Sequence, residues 1–272
     1  MEQFLTAPAE HDHASSPIEV EHLTVSYNGH QALHDVSFTI EQAQRIAVVG
    51  PNGSGKTTLF KALAGTIDPE SGEIRVFGHG PCGHVCIAYV PQRNQIDWDF
   101  PASVADVVMM SRARKIGFAR WPRRNDWNAV QEALERVDMA RLSKRQIGEL
   151  SGGQQQRVFL ARALAQEAEI ILLDEPLTGL DTPSQQSMFR ILDELHQDRI
   201  TIMVSTHDLN MAADRFDTVM LINRSLVAFG PPEEVFTRPY LMKAYGDHLR
   251  ILPDEPTLTI VADTCCEGDE PA

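Results

Sequence analysis

The sequence predicts an α/β fold: a mixed, parallel-rich sheet with an N-terminal antiparallel β part and an inserted helical subdomain. Three observations predict it. Short apolar runs at 45–49, 170–173, 200–205 and 218–222 read as strands buried on both faces, the habit of a parallel sheet. Near the start, 18–27 and the alternating 36–40 flank an Asn28-Gly29 turn, which predicts an antiparallel pair. Between about 93 and 150 the apolar period becomes helical, which marks an insertion.

The elements follow in order. Residues 1–16 carry Glu2, Glu10 and Asp12 without a basic-then-apolar pattern, so a flexible tail is expected and not a secretory peptide. Residues 17–245 are expected to form a single domain and 246–272 a C-terminal tail. The run 45–49 feeds Gly50-Pro51-Asn52-Gly53-Ser54-Gly55-Lys56-Thr57, a loop of the form GxxxxGK[ST], and Thr57 and Thr58 open a helix predicted over 57–64. Strand, glycine loop and helix is the context a phosphate loop requires, and it predicts a P-loop ATPase core. The glycines let successive amides face phosphate oxygens at the positive end of a helix. Lys56 is then placed to reach the β and γ phosphates of a nucleoside triphosphate, and the Thr57 hydroxyl to ligate Mg²⁺.

Strands at 74–77 and 87–90 precede Gln92. Ser103 and Asp106 form a capping box for a helix through 110, and Val130, Leu134 and Val137 line one face of a second. Ser151 is placed to cap a helix over 154–168. The strand 170–173 ends in Asp174 and Glu175, and the strand 201–206 delivers His207. Arg224 and Ser225 then turn 218–222 into a last strand, 226–229. No internal repeat is evident.

Leu150-Ser151-Gly152-Gly153-Gln154-Gln155-Gln156-Arg157 resembles the signature motif of the ATP-binding cassette family, and with the phosphate loop it identifies the chain as resembling that family over about 18–245. The resemblance implies that Ser151, Gly152, Gly153 and Gln154 contact ATP bound to the opposite subunit, and therefore a homodimer with two nucleotides at its interface. It implies that Asp174 holds Mg²⁺ and that Glu175 is the general base. It further implies that Gln92 touches the metal shell, His207 contacts the γ phosphate, Asp181 belongs to the loop between subunits, and Tyr27 stacks on adenine. Each has a plainer reading: acids after a strand cap helices, a lone histidine is usually structural, and Tyr27 is a strand-end aromatic.

The 43% hydrophobic content supports one sizeable core, and no apolar run approaches the ~18 residues that span a bilayer. A peripheral place at the cytoplasmic face of the membrane is expected. The formal net charge of −14 tells against a nucleic-acid partner. One basic cluster, Arg112, Arg114, Lys115, Arg120, Arg123 and Arg124, reads as a solvated loop or helix face, with anionic lipid heads or a partner's loop as the alternative. Cys82, His84 and Cys86 alternate as metal ligands on an extended segment could, but Gly80, Pro81 and Gly83 favour a turn. His11/His13 and Cys265/Cys266, in the expected tails, are no stronger.

The stretch from Asn94 to Pro101, with Ser103 to Ser111 after it, resembles that of ATP-binding subunits of manganese, zinc and iron importers. This resemblance implies an integral membrane permease, an extracytoplasmic metal-binding protein and a divalent cargo, manganese ahead of zinc and iron. Packing at a subdomain boundary is the plain alternative for Trp98 and Phe100. Another importer substrate, such as an iron-siderophore, is the second reading. A soluble cassette ATPase outside transport would carry a tandem cassette, a coiled coil or a basic groove, none of which the sequence shows.

Overall fold

The structure, a computed structural model, describes residues 16–80, 86–92, 98, 100–117, 120–246, 249–251 and 260–262. The first two strands, β1 (Ile18–Tyr27) and β2 (His30–Ile40), run antiparallel through Asn28 and Gly29, whose φ values of 49° and 80° suit the tight turn that matches strand twist. β2 begins earlier than the alternation at 36–40 predicted, because pairing with β1 extends it through residues that are mostly exposed. After β3 (Arg45–Val49) and α1 (Lys56–Leu63), β4 (Ser71–Val76) pairs with the other side of β1, giving the order β2-β1-β4.

Next come β5 (Ile87–Val90) and the inserted helices: α2 (Val104–Met109), α3 (Ala113–Ile116) and α4 (Arg124–Arg136). The Ser103 and Asp106 capping box forms as predicted, and Val130, Leu134 and Val137 are all buried. α5 (Gly152–Ala165) packs on both α2 and α4. It starts right after Ser151 and stops short of the predicted 168, because Glu167 takes a left-handed φ of 61°.

The chain then alternates through β6 (Ile170–Asp174), α6 (Thr182–Gln197), β7 (Thr201–Thr206), α7 (Leu209–Arg215), β8 (Thr218–Asn223) and β9 (Ser225–Gly230). Helices α8 (Pro232–Val235) and α9 (Arg238–Tyr245) follow, and β10 (Leu249–Ile251) pairs antiparallel with β11 (Ile260–Ala262) in the stretch expected as a tail. The second sheet has the order β5-β6-β7-β3-β8-β9, parallel throughout except that β9 runs antiparallel to β8.

Every residue of β6 and β7 is buried, and alternate residues feed two cores. Ile46, Val48, Ile170 and Leu172 face α1 and the antiparallel sheet; Ala47, Val49, Ile171 and Leu173 face the α2, α4, α5 and α6 side. Val49 lies opposite Thr206 and Asp174 opposite Ser205, so the carboxyl ends of β3, β6 and β7 share one edge. In open α/β sheets that edge is where ligands bind. At the β8–β9 turn Arg224 takes a φ of 58°; its amide donates to the Ser54 carbonyl at 2.8 Å, and its own carbonyl accepts from the His34 amide at 2.7 Å.

Two readings of side chains change. Arg112 is 7% exposed and does not belong to a solvated basic face. It donates to Asp126 Oδ1 from Nε and Nη2 at 3.3 and 3.2 Å, to the Ala165 carbonyl at 3.0 Å and to Glu167, since a buried guanidinium needs partners for all its donors. Cys86 is buried in the core beneath the antiparallel sheet, which pushes its thiol up to about 12. Cys82, His84, His11, His13, Cys265 and Cys266 lie outside the described residues.

Candidate nucleotide site

The glycine loop leaves β3 at the ligand-binding edge. Gly53 and Gly55 have φ of 74° and 102°, and a methyl on Gly50 would lie 2.1 Å from the Ile222 carbonyl oxygen, so backbone passes where a side chain cannot. Pro51 accepts from the Ser54 amide at 3.2 Å, Asn52 is exposed at the tip, and Ser54 and Thr58 are buried beneath it. Lys56 Nζ donates to the Gly50 and Pro51 carbonyls at 2.8 and 3.0 Å. Burial pushes its ammonium below the usual range, with the Glu175 and Asp174 carboxylates opposing.

Asp174 ends β6 and is 2% exposed. Its Oδ1 accepts from Ser205 Oγ at 2.6 Å, and its Oδ2 from Thr57 Oγ1 at 2.7 Å and from the Tyr89 hydroxyl at 3.4 Å. Tyr89 is a phenol whose ionisation is pushed up by burial and by Asp174. One carboxylate and one hydroxyl in contact make the hard-oxygen set that Mg²⁺ takes alongside phosphate oxygens. Among the described residues no cluster of three His, Cys, Asp or Glu could hold a metal ion.

Glu175 follows at a φ of 47°, a left-handed conformation that lifts its carboxylate off the strand line. Its amide donates to Ser205 Oγ at 2.9 Å, so one buried hydroxyl holds both acids. Glu175 Oε2 accepts from Gln92 Nε2 at 3.0 Å and Thr178 Oγ1 at 3.2 Å, and His207 Nδ1 stands 4.0 Å away, an ion-pair distance beyond hydrogen-bond reach. His207 lowers the carboxyl's pKa and Glu175 raises the imidazole's.

Lys56, Thr57, Gln92, Asp174, Glu175 and His207 are therefore brought together. A second group forms around the start of α5. Ser151 Oγ accepts from the Gln154 amide at 3.4 Å, and Gln154 Oε1 from the Ser151 amide at 3.0 Å, a reciprocal cap beside Gly152. Gly153 packs on α6 so closely that a methyl there would lie 2.5 Å from Ser184 Oγ, while the Ser184 amide donates to Asp181 Oδ1 at 3.2 Å. Among the described residues no hydrogen bond links the two groups. Tyr27 stands 44% exposed at the end of β1. Sequence reasoning missed Ser205, Tyr89, Thr178 and Ser184. Only Ser205 left a signal, a hydroxyl in the buried run that leads to His207.

A parallel strand ending in the phosphate loop, two acids at the tip of its sheet neighbour but one, and a separately capped signature helix define an ATPase of the cassette class. The chain belongs to the ABC transporter family, whose model, described as "ABC transporter", matches residues 33–178. It is similar to the manganese transport system ATP-binding protein MntB of Bacillus subtilis, 43% identical over 240 residues that cover 88% of this chain and 96% of that protein. It is also similar to the zinc transport system ATP-binding protein TroB of Treponema pallidum, 42% identical over 234 residues, 85% of this chain and 88% of that one. Among solved structures, cbiO1 from Clostridium perfringens, part of the ABC transporter complex cbiONQ, superposes with a TM-score of 0.70 at 29% identity, covering 84% of this chain and 93% of that one. No helix among the described residues is long and apolar enough to cross a membrane. The protein is an ATP-hydrolysing subunit of an ABC transporter.

Proposed function

We propose that this chain powers uptake of a divalent metal ion, manganese ahead of zinc and iron, as the ATPase of an importer. It would work as a homodimer at the cytoplasmic face of the membrane, beside an integral permease supplied by an extracytoplasmic metal-binding protein. The observation that carries the ATPase part is Glu175, held by Gln92 and Thr178 and faced by His207, on the edge that also presents Lys56. The manganese transport system of MntB and the zinc transport system of TroB support the cargo.

In this reading the loop backbone of 50–58 cradles the triphosphate through its N–H groups, Pro51 having none, Tyr27 stacks on adenine, and Lys56 exchanges its two loop carbonyls for phosphate oxygens. Thr57, Asp174 and Gln92 would hold Mg²⁺, which offsets charge on the phosphate oxygens. Ser151, Gly152, Gly153, Gln154 and Asp181 of the twin subunit close the site. A water oxygen bonds to the γ phosphorus while the bond to the β–γ bridging oxygen breaks, and Glu175 accepts the water's proton. His207 contacts the γ phosphate. ATP favours closure through contacts made only in the closed dimer, and hydrolysis removes them. The Gln92 region and the α2–α4 insertion carry that motion to the permease.

Uptake measured ion by ion in cells lacking the chain tests the cargo. Manganese uptake should fall and be restored by the wild type but not by Glu175→Gln. Unchanged manganese uptake with loss of a siderophore-bound iron would move the reading to another importer substrate.

A further inference from the structure

Around the start of α4 the molecule runs against its own composition. The formal charge is −14, yet Arg114, Lys115, Arg120, Arg123 and Arg124 are all exposed within one short stretch. Trp121, among them, is 89% exposed, and Trp127 in the first turns of α4 is 46% exposed. Tryptophan is normally among the more buried residues, so this is surface the fold does not use.

The groups form one patch because the buried Arg112–Asp126 contact, at 3.2 Å, clamps the turn before α3 to the first turn of α4. Arg120 folds back over the end of α3, its Cδ 3.8 Å from where a methyl on Gly117 would stand. Lys115 is engaged by Glu167. Arg114, Arg120 and Arg124 make no ion pair with a carboxylate among the described residues. Asp126, the acid in the first turn of α4, is committed to Arg112 and to the Arg123 amide. Arg123 and Arg124 also sit at the positive end of the α4 dipole, where a cation is disfavoured. The fold itself gains nothing from this arrangement, whereas an anionic and amphipathic partner would.

We propose that this patch docks on the anionic headgroup layer of a bilayer, with Arg114, Arg120 and Arg124 facing lipid phosphates and Trp121 entering the headgroup region. The indole, apolar with one N–H, is suited to that depth. Nucleic acid fits less well, since its long run of phosphates would meet Glu132 and Glu135 farther along α4. Acids elsewhere on the chain oppose binding little, because at physiological salt charges are screened beyond ~8 Å. The surface is separate from the nucleotide site, so its failure would leave the proposed import function standing.

The test is flotation of the purified full chain with phosphatidylcholine vesicles, with and without phosphatidylglycerol. Only the anionic vesicles should carry the protein, salt should release it, and tryptophan emission should shift to the blue. Arg120→Ala with Arg124→Ala should cut partitioning about 25-fold, roughly fivefold per charge. Trp121→Ala should abolish most of the emission shift, and ATP turnover should be unchanged in both variants. Equal binding to neutral vesicles, no binding to anionic ones, or full binding by the double variant would overturn the proposal. Polyglutamate or single-stranded DNA binding the patch more tightly than vesicles would overturn it too, in favour of a polyanionic macromolecule.

Discussion

Gln92 Nε2 donates to Glu175 Oε2 at 3.0 Å, and Thr178 donates to the same oxygen at 3.2 Å. Both neutral donors favour the ionised carboxylate, the form that the proposed general base requires, and one of them comes from the segment that precedes the helical insertion. Movement of that segment would change how firmly the base is held.

Glu175→Gln should leave ATP binding intact and lower turnover by on the order of 100-fold or more, the usual contribution of a general base. Phosphate release gives the rate, and crosslinking should show closed dimers accumulating with ATP. Normal turnover would remove Glu175 from the role of base.

The Glu175–His207 pair predicts a titration. The Glu175 pKa lies below its ordinary 4.5, so its stabilising effect is present above 4.5 and lost as pH falls through the lowered value. The His207 pKa lies above 6.5, so its effect is complete below 6.5 and lost as pH rises through the raised value. His207 is 59% exposed and solvent screens the pair, so the readout is an NMR titration and not melting. The imidazole midpoint should lie above 6.5 in the wild type and return toward 6.5 in Glu175→Gln.

Lys56→Ala should weaken nucleotide binding on the order of 10- to 100-fold, the worth of hydrogen bonds from a charged donor. Calorimetry with ATP checks this. Unaltered affinity would mean that Lys56 stays on the Gly50 and Pro51 carbonyls when nucleotide binds.

Gly153→Ala should push α5 off α6, since its methyl would meet Ser184 Cβ at 2.8 Å; such overpacking costs about 1–3 kcal/mol. Turnover should fall, and Ser184→Gly in the same chain should restore it. Failure of that rescue would show that the strain is relieved elsewhere.

Arg112→Met should destabilise the fold by about 3–5 kcal/mol, because it leaves Asp126 buried without its cation. Urea unfolding measures the loss. A variant with Asp126→Leu added should recover part of it.

The strands at 45–49, 87–90 and 201–206 lie where the sequence placed them, because continuous buried runs bounded by turn residues leave little room for another reading. The start of β2 was not legible, since pairing and not apolar alternation extends it. Residues 182–197 drew no helical expectation, although Asp181 as cap and Pro183 in the first turn announce α6. In the site, linear motifs named Lys56, Asp174 and Glu175, but the hydroxyls of Ser205 and Thr178 that aim the acids belong to no motif. The burial of Arg112 was hidden for the same kind of reason: Asp126 and the end of α5 meet it only in three dimensions.

Arg224 leaves a mechanical consequence. A single residue, its N–H bonded to the Ser54 carbonyl and its C=O to the His34 amide, joins the cradle proposed for the triphosphate to the hairpin that ends in Tyr27. Base and phosphate tail would then be gripped by a single stiff frame, so that inorganic triphosphate alone should already quieten the hairpin, and a tug on either end of the nucleotide would be answered at the other.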